Sequence, residues 1–144
     1  IVRISLATFT EVDVLTFDTG YNKAESLLRS GTDLFVGLNS ASGQPMKLLV
    51  KENLTTFTLS GYLSIQDSQN VFTLAGDGTY LYAPGYSMTN VYKVNMSNLT
   101  LTDTIPYPFS IQYPPSKGNI AVVETRIHYV GTDGVEYYFE GTLV

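Results

Sequence analysis

Residue types that commonly carry catalysis or bind metal ions are few and scattered in this sequence. His128 is the single histidine and cysteine is absent, which excludes a two-histidine metal site, a thiolate metal site and a cysteine nucleophile within one chain. A Ser-His-Asp triad would have to use His128, but the G-x-S-x-G sequence that often presents the serine is missing. We therefore predict a structural or surface role for His128.

The acidic residues include two closely spaced pairs. Glu11 and Asp13 lie two residues apart on one predicted strand, and Glu136 and Glu140 lie four apart on another. Paired carboxylates can hydrolyse glycosides, but a solvated strand face explains both pairs better, because alternate residues of a strand share one face. We predict no catalytic residue, no metal site, no cofactor and no enzymatic activity.

Three Asn-x-Ser/Thr sequences are candidate N-glycosylation sites, and they begin at Asn53, Asn95 and Asn98. Asn53 and Asn98 are predicted to occupy the same exposed turn of a sequence repeat; the alternative is that asparagine simply suits that turn. Serine and threonine make up 29 of the 144 residues, whereas charged residues make up 15%. A surface rich in hydroxyl groups is typical of secreted β proteins, so we expect an extracellular or cell-surface location.

Tyrosines concentrate in one part of the chain. Exposed tyrosine rings can stack on sugars and anchor protein interfaces, which makes glycans possible partners. The alternative is that these rings pack in the core or between sheets. The four candidates are Tyr80, Tyr82, Tyr86 and Tyr92.

Charge and hydropathy argue against two kinds of partner. The net charge is −5 and the eight basic residues form no run, whereas nucleic-acid binding requires clustered Lys and Arg. No apolar run approaches the ~20 residues that span a bilayer. The chain starts at Ile1 without a signal-type segment, so we expect a processed form or a piece of a longer protein.

Short apolar and aromatic runs separated by turn residues predict strands throughout, and no segment is long enough to favour a helix. Four prolines between Ile105 and Ser116 predict an extended connection that pairs with no strand. The predicted class is all-β. The first ten predicted strands lie at residues 1–6, 9–17, 23–28, 34–38, 46–51, 57–65, 71–75, 79–83, 91–94 and from 99 onward.

Turn sequences repeat along the chain. Residues 6–10 (LATFT) are similar to residues 54–58 (LTTFT), 48 residues later, and more loosely to residues 99–102 (LTLT), another 45 residues on. Independently, residues 31–35 (GTDLF) are similar to residues 78–82 (GTYLY), an offset of 47. A period of about 40–50 residues with four strands per period is typical of propeller blades.

The sequence then resembles β-propellers of the broad β-strand-repeat family, in which a strand reading DGxYLY is followed by VxxID and TxTVxxTI. The matching segments are residues 77–82, 91–94 and 99–105. The resemblance covers residues 1–112, divided at about 1–45, 46–90 and 91–112, where a third repeat starts. It implies antiparallel four-stranded repeats in an incomplete ring, and architecture only, because propellers serve many functions.

Residues 113–144 depart from the repeat and are expected to pack into the same domain. Residues 120–130 and 135–144 predict a C-terminal hairpin around Asp133-Gly134, residue types that favour a two-residue turn. Such a turn would pair His128 with Phe139 and leave apolar residues on both faces. Packing on both faces keeps an immunoglobulin-like β-sandwich open as the alternative fold.

About three repeats are too few for a closed ring, because propellers have about 4–8 blades. An incomplete ring leaves edge strands, which pair readily with other strands. We therefore expect a non-enzymatic extracellular structural protein whose copies assemble through edge strands into a ring or a fibre. The alternative is a carbohydrate- or protein-binding module of a cell-surface protein.

Overall fold

The structure is a computed structural model, and it describes residues 1–16, 21–40, 47–65, 71, 73–84, 90–106, 115–123, 126–131 and 136–140. All regular elements in these ranges are β-strands, which confirms the all-β prediction. These ranges contain no helix of the length and apolarity that crossing a membrane requires.

Thirteen strands are present in the described ranges, and most of the predicted runs correspond to one of them. Their bounds are β1 Val2–Ile4, β2 Glu11–Val14, β3 Tyr21–Ser30, β4 Asp33–Ser40, β5 Lys47–Asn53, β6 Thr58–Ser64, β7 Ala75–Gly76, β8 Tyr80–Pro84, β9 Asn90–Asn95, β10 Thr100–Pro106, β11 Pro115–Val123, β12 Arg126–Gly131 and β13 Glu136–Glu140.

The strands form four antiparallel sheets, each built from strands that are consecutive in the chain. The first sheet is β1-β2, the second β3-β4-β5-β6, the third β7-β8-β9-β10 and the fourth β11-β12-β13. No described strand crosses from one sheet to another. This consecutive order confirms propeller-like four-stranded blades and differs from the Greek-key order of an immunoglobulin-like sandwich.

The first strands of the last three sheets, β3, β7 and β11, contact one another. This is the arrangement of propeller blades, in which the first strand of each blade lies nearest the ring axis. The fourth strands lie farthest out, so β6 and β10 are largely exposed.

The core lies between sheets rather than inside one sheet. In β4, Phe35 packs in a cluster between the second and third sheets, whereas its neighbour Val36 packs in another cluster with Ile1. In β8 and β9, consecutive residues are buried. Middle strands packed on both faces therefore carry continuous rather than alternating apolar residues.

The sheets divide the chain at other positions than the predicted repeats. The two four-stranded sheets span residues 21–64 and 75–106. They are flanked by the two strands of the first sheet and the three strands of the fourth. The predicted repeat was aligned on turn sequences that lie inside the sheets. Its boundaries therefore do not coincide with the first and last strands of each sheet.

The predicted strand at residues 71–75 is much shorter than expected. Strand β7 comprises Ala75–Gly76 alone. The Val71 N–H instead donates to the Leu38 carbonyl in the second sheet, at 3.1 Å. Gly37 permits this close approach, because a Cβ at Gly37 would lie 2.7 Å from the Val71 carbonyl oxygen.

The predicted C-terminal hairpin is present as β12 paired with β13, but two of its details differ from the prediction. Its first strand is two strands, β11 and β12, and β11 begins at Pro115, inside the connection predicted not to pair. The register places Ile127 opposite Phe139 and His128 opposite Tyr138, one residue away from the prediction. This register does not fit the predicted two-residue turn, whose own residues lie outside the described ranges.

The observed hairpin register has a physical reason. A one-residue slip exchanges the two faces of a strand. In the observed register, Ile127 pairs with Phe139 and Tyr129 pairs with Tyr137. Every second pair of the hairpin therefore joins two apolar or aromatic residues. Ile127 is buried, and its burial fixes which positions of β12 turn inward.

Candidate functional site

One turn occurs three times in the chain, each time between the third and fourth strands of a sheet or their equivalents β1 and β2. It contains a residue in the left-handed region: Phe9 (φ 54°), Phe57 (φ 54°) and Leu99 (φ 56°). Non-glycine residues seldom adopt this conformation. Its recurrence shows that the three turns are structural equivalents, spaced 48 and 42 residues apart.

Side-chain oxygen atoms at the start of each turn hold it closed. The Ser5 Oγ accepts the Thr8 N–H at 3.3 Å, and the Asn53 Oδ1 accepts the Thr55 N–H at 2.8 Å. The Asn95 Oδ1 accepts a turn N–H in the same way, at 2.9 Å. Asn53 therefore corresponds to Asn95, and the predicted correspondence of Asn53 with Asn98 is wrong.

The three candidate glycosylation residues differ in accessibility. Asn98 is exposed, whereas Asn53 and Asn95 are half-buried. The Oδ1 of Asn98 accepts a hydrogen bond from the Thr100 hydroxyl at 2.7 Å. The amide nitrogen of Asn98, which is the atom that carries an N-glycan, takes no part in this bond. Asn98 is the best presented of the three sites.

The candidate tyrosines lie in different environments. Tyr82 and Tyr92 are buried, which fits the packing alternative and leaves neither ring face for a sugar. Tyr80 is half-buried, with the Lys93 ammonium 4.2 Å from its ring centre. Tyr86 lies outside the described residues. A stacking role for Tyr80 stays a prediction.

Tyr82 also takes part in a polar contact with the turn before it. Its hydroxyl donates to the Asp77 carboxylate at 3.1 Å. Burial, reinforced by the Asp77 charge, raises the pKa of Tyr82 well above its usual range. Burial opposes ionisation of Asp77, but the Tyr80 and Thr79 N–H groups and the Tyr82 hydroxyl outweigh it and lower the pKa of Asp77.

Basic residues connect the first sheet to the turn of the second sheet, and the second sheet to the turn of the third. Arg3 donates to the Leu54 carbonyl at 3.3 Å and lies over the Phe57 ring at 4.6 Å. Lys51 donates to the Met96 carbonyl at 3.0 Å. Arg3 and Lys51 both stand two residues before the first residue of their own turn, and both reach the second residue of the following turn.

The third basic residue at this position is Lys93. It differs from Lys51 in the residue that it contacts on the neighbouring strand. The Lys51 ammonium lies 2.9 Å from the Asp33 carboxylate, whereas Lys93 lies over Tyr80. Asp33 and Tyr80 are equivalents, because each pairs with the first residue of its turn. We call this repeated basic position, at which Arg3 and Lys51 bridge two sheets and Lys93 contacts its own sheet, the inter-sheet latch.

Glu52 is a buried carboxylate without a hydrogen-bond partner among the described residues. Its equivalents in the other repeats are the apolar residues Ile4 and Val94. Burial raises the pKa of Glu52, and the Ile1 amino group and Arg3 oppose the shift only in part. This carboxylate sits between the first and second sheets, and burying it without a hydrogen bond costs free energy.

Four apolar residues of the first sheet and its turn are exposed, although their equivalents in the third sheet are buried. Val2, Ile4, Leu6 and Phe9 have exposed fractions of 51%, 54%, 83% and 82%. The equivalents Tyr92, Val94, Met96 and Leu99 are 4%, 0%, 6% and 8% exposed, because the second sheet covers them. We call the exposed set, with Val12 and Val14 beside it on β2, the open face.

The described side chains of the fourth sheet include three polar ones. In the fourth sheet, His128 lies 3.0 Å from the Glu136 carboxylate, and Glu136 is largely exposed. Arg126 is exposed on the same strand. His128 stands at the position that Phe35 occupies in the second sheet, where the third sheet covers it.

Catalytic geometry is absent from the described residues. They contain no group of three or more His, Asp or Glu side chains placed to hold a metal ion. Asp13 pairs with Arg3 at 3.4 Å rather than with a second carboxylate. A cleft of about 310 Å³ beside the Asn95 turn contains the Asp33 carboxylate, which is paired with Lys51. The absence of enzymatic activity stays a prediction.

No protein-family model and no curated protein matches the sequence. Three solved structures are similar in fold. Hydrazine synthase of Kuenenia stuttgartiensis is 15% identical with a TM-score of 0.62, over 83% of this chain and 32% of that one. The β-propeller domain of Cps50 (Swd1) from Myceliophteria thermophila is 14% identical with a TM-score of 0.58, over 88% and 41%.

The third similar structure is the dihydro-heme d1 dehydrogenase NirN in complex with DHE, 11% identical with a TM-score of 0.60, over 94% of this chain and 31% of that one. At these identities the likeness concerns the fold alone. The described strands form consecutive propeller-like sheets, two of them complete four-stranded blades. It spans about a third of the length of two of these structures and two fifths of the other.

Proposed function

We propose that the protein is a non-enzymatic structural module whose copies associate through the open end formed by β1 and β2. One observation carries the proposal: Val2, Ile4, Leu6 and Phe9 are exposed at positions where the third sheet buries its residues. Contiguous exposed apolar residues of this kind mark interaction sites. Covering them with protein removes apolar surface from water, which stabilises the complex by about 25 cal/mol for each Å² of apolar surface buried.

The edge of β1 supports the same proposal. Ile1 and Leu15 bond to each other through both backbone groups, at 2.7 and 2.8 Å. Because bonding alternates along an antiparallel pair, Val2 directs its N–H and C=O away from β2. No described strand pairs with that edge, and unpaired edges template association.

Size-exclusion chromatography with light scattering tests the association. We expect the wild-type chain to form oligomers at micromolar concentration. Ile4→Lys should shift it to monomer, because a charge at the centre of the open face would have to be desolvated. The matched control is Leu101→Lys, which puts the same charge on the exposed strand β10 and should leave the oligomer intact.

A wild-type chain that is monomeric at all concentrations would contradict the proposed association. Equal loss of oligomer in both lysine variants would point to general aggregation instead. Circular dichroism of each variant separates these outcomes from unfolding.

We further propose an extracellular or cell-surface location, with an N-glycan on Asn98. The exposure of Asn98 and its position in a Thr100 sequon support this. Peptide mass spectrometry of native material is expected to find the glycan on Asn98 and little on half-buried Asn95. Unmodified asparagine at all three sequons would contradict the location as well as the glycan.

A further inference from the structure

The buried carboxylate of Glu52 lies in the contact between the first and second sheets, and we infer that it makes this contact depend on pH. The first sheet is held to the second more tightly when Glu52 carries a proton than when it is ionised. Glu52 is 0% exposed, and neither of its carboxylate oxygens has a hydrogen-bond partner among the described residues. The inference concerns a contact within one chain and does not require the proposed self-association.

Within the second sheet, Glu52 lies in an apolar row. Its cross-strand neighbours are Leu34 on β4 and Leu59 on β6, and neither side chain can form a hydrogen bond. Arg29 lies farther along the same row, opposite Leu34, but it is exposed, and its Nε donates to the Gly31 carbonyl at 3.2 Å. The described part of the second sheet therefore gives the charge of Glu52 no hydrogen bond.

The first sheet places both signs of charge near Glu52. The Ile1 amino group and Arg3 are the positive groups that act on it, and Asp13 is the negative one. The Ile1 amino group donates to a backbone carbonyl at 2.7 Å. Arg3 donates to a turn carbonyl of the second sheet at 3.3 Å and to Asp13 at 3.4 Å. Both positive groups are thus directed to other acceptors, and Asp13 offsets part of their attraction for Glu52.

The sign of the pH dependence follows from this environment. Burial is the largest influence on Glu52 and raises its pKa, while the Ile1 amino group and Arg3 lower it only in part. Detachment of the first sheet would return Glu52 to water and to its ordinary pKa of 4.5. The attached state therefore binds the proton more tightly. Its stability is fully present below pH 4.5 and is lost as the pH rises through the raised pKa of the attached state.

The contact between the second and third sheets is a reference within the same chain. Val94 holds the position of Glu52 in the third sheet and is buried in an apolar cluster. No carboxylate titrates at that position, so strand β9 should not share the pH response that Glu52 gives to β1 and β2.

Hydrogen exchange of the wild-type chain at pH 5 and pH 8 tests the inference. Protection factors remove the intrinsic pH dependence of exchange and report the opening of each strand. Detachment should open β1 and β2 fully, because an isolated two-stranded hairpin is only marginally stable in water. We expect their protection to fall by about tenfold or more from pH 5 to pH 8, in line with the cost of a buried polar group without a partner. A pH response of β1 and β2 no larger than that of β9 would overturn the inference.

Three variants assign the response to one side chain. Glu52→Gln removes the charge and keeps the shape, so β1 and β2 should have nearly the same protection at both pH values. Glu52→Val introduces the residue type of Val94 and should act alike, which keeps the test open if the glutamine variant does not fold. The matched control is Glu11→Gln, which removes an exposed carboxylate of β2 and should leave the response intact.

Two results with these variants would contradict the inference. A pH response that persists in the folded Glu52 variants would belong to another group. Weaker protection of β1 and β2 at pH 8 in those variants than in the wild-type chain would show that ionised Glu52 stabilises the contact, as a partner of Arg3 would. Circular dichroism of each variant establishes that it is folded.

Discussion

Replacing Gly37 by alanine should destabilise the fold by about 2–3 kcal/mol, the upper part of the usual range for an overpacked interior. The added Cβ would lie 2.7 Å from the Val71 carbonyl oxygen and 2.8 Å from the Val71 Cγ1, and it would overlap the Ser26 hydroxyl. A carbonyl oxygen cannot rotate away as a flexible side chain can. The expected loss therefore comes from moving the backbone of one segment away from another.

The surroundings of Gly37 leave little room for such a movement. The Val71 N–H is bonded to the Leu38 carbonyl at 3.1 Å, and the Ser26 hydroxyl donates to the Val71 carbonyl at 3.3 Å. Val71 itself is fully buried in the cluster between the second and third sheets. Displacing Val71 would break both bonds and loosen that cluster.

Urea unfolding followed by circular dichroism measures the effect of Gly37→Ala. Gly61→Ala is the matched control, because its nearest neighbour is the Leu99 Cδ1 at 3.1 Å, the tip of a side chain that can shift. We expect the control to change the free energy of unfolding by less than about 0.5 kcal/mol. A Gly37→Ala chain as stable as the control would show that Val71 does not pack against β4 in solution.

The propeller repeat could be predicted from the sequence because its turns depend on local chemistry. Each turn starts with Ser or Asn, whose side-chain oxygen accepts an N–H group of the same turn. Similar residue types therefore recur at the same positions of each turn. The alignment of the third copy was three residues off. It matched Leu99 to Leu54 by residue type, whereas the backbone matches Leu99 to Phe57.

Other features depend on contacts between distant segments, and the sequence gives no local sign of them. Glu52 is buried because the first sheet lies over the second. Its residue type alone would suggest a solvated side chain. The C-terminal register depends on which side of β12 faces the third sheet, so Asp133-Gly134 predicted the wrong turn length.

The inter-sheet latch did leave a signal in the sequence. Arg3, Lys51 and Lys93 each stand two residues before the Ser or Asn that opens a turn. The signal becomes readable only when Asn95 is aligned with Asn53. The open face is different, because Val2 and Ile4 look like any half-buried strand until their equivalents are known to be covered.

The latch leads to the second large effect: Lys51→Met should lower the free energy of unfolding by about 2 kcal/mol, the range measured for hydrogen bonds to charged groups. The ammonium donates to the Met96 and Ser97 carbonyls at 3.0 and 3.2 Å and pairs with Asp33 at 2.9 Å. Methionine keeps the length and apolar stem of lysine but offers none of these atoms a partner. The Asp33 carboxylate would then stay partly buried without its counter-charge.

Lys93→Met is the matched control, since Lys93 holds the equivalent position but contacts the Tyr80 ring in place of a carboxylate. An exchange there removes a cation–π contact worth about 1 kcal/mol or less and a Coulombic attraction to Asp77, but no direct contact with a carboxylate among the described residues. Urea unfolding of both variants, with Asp33→Asn in single and double combination, should give a coupling energy between Lys51 and Asp33. Equal losses in Lys51→Met and Lys93→Met would contradict this prediction, because the carbonyls of the next turn and Asp33 would then add nothing beyond what the contacts of Lys93 contribute.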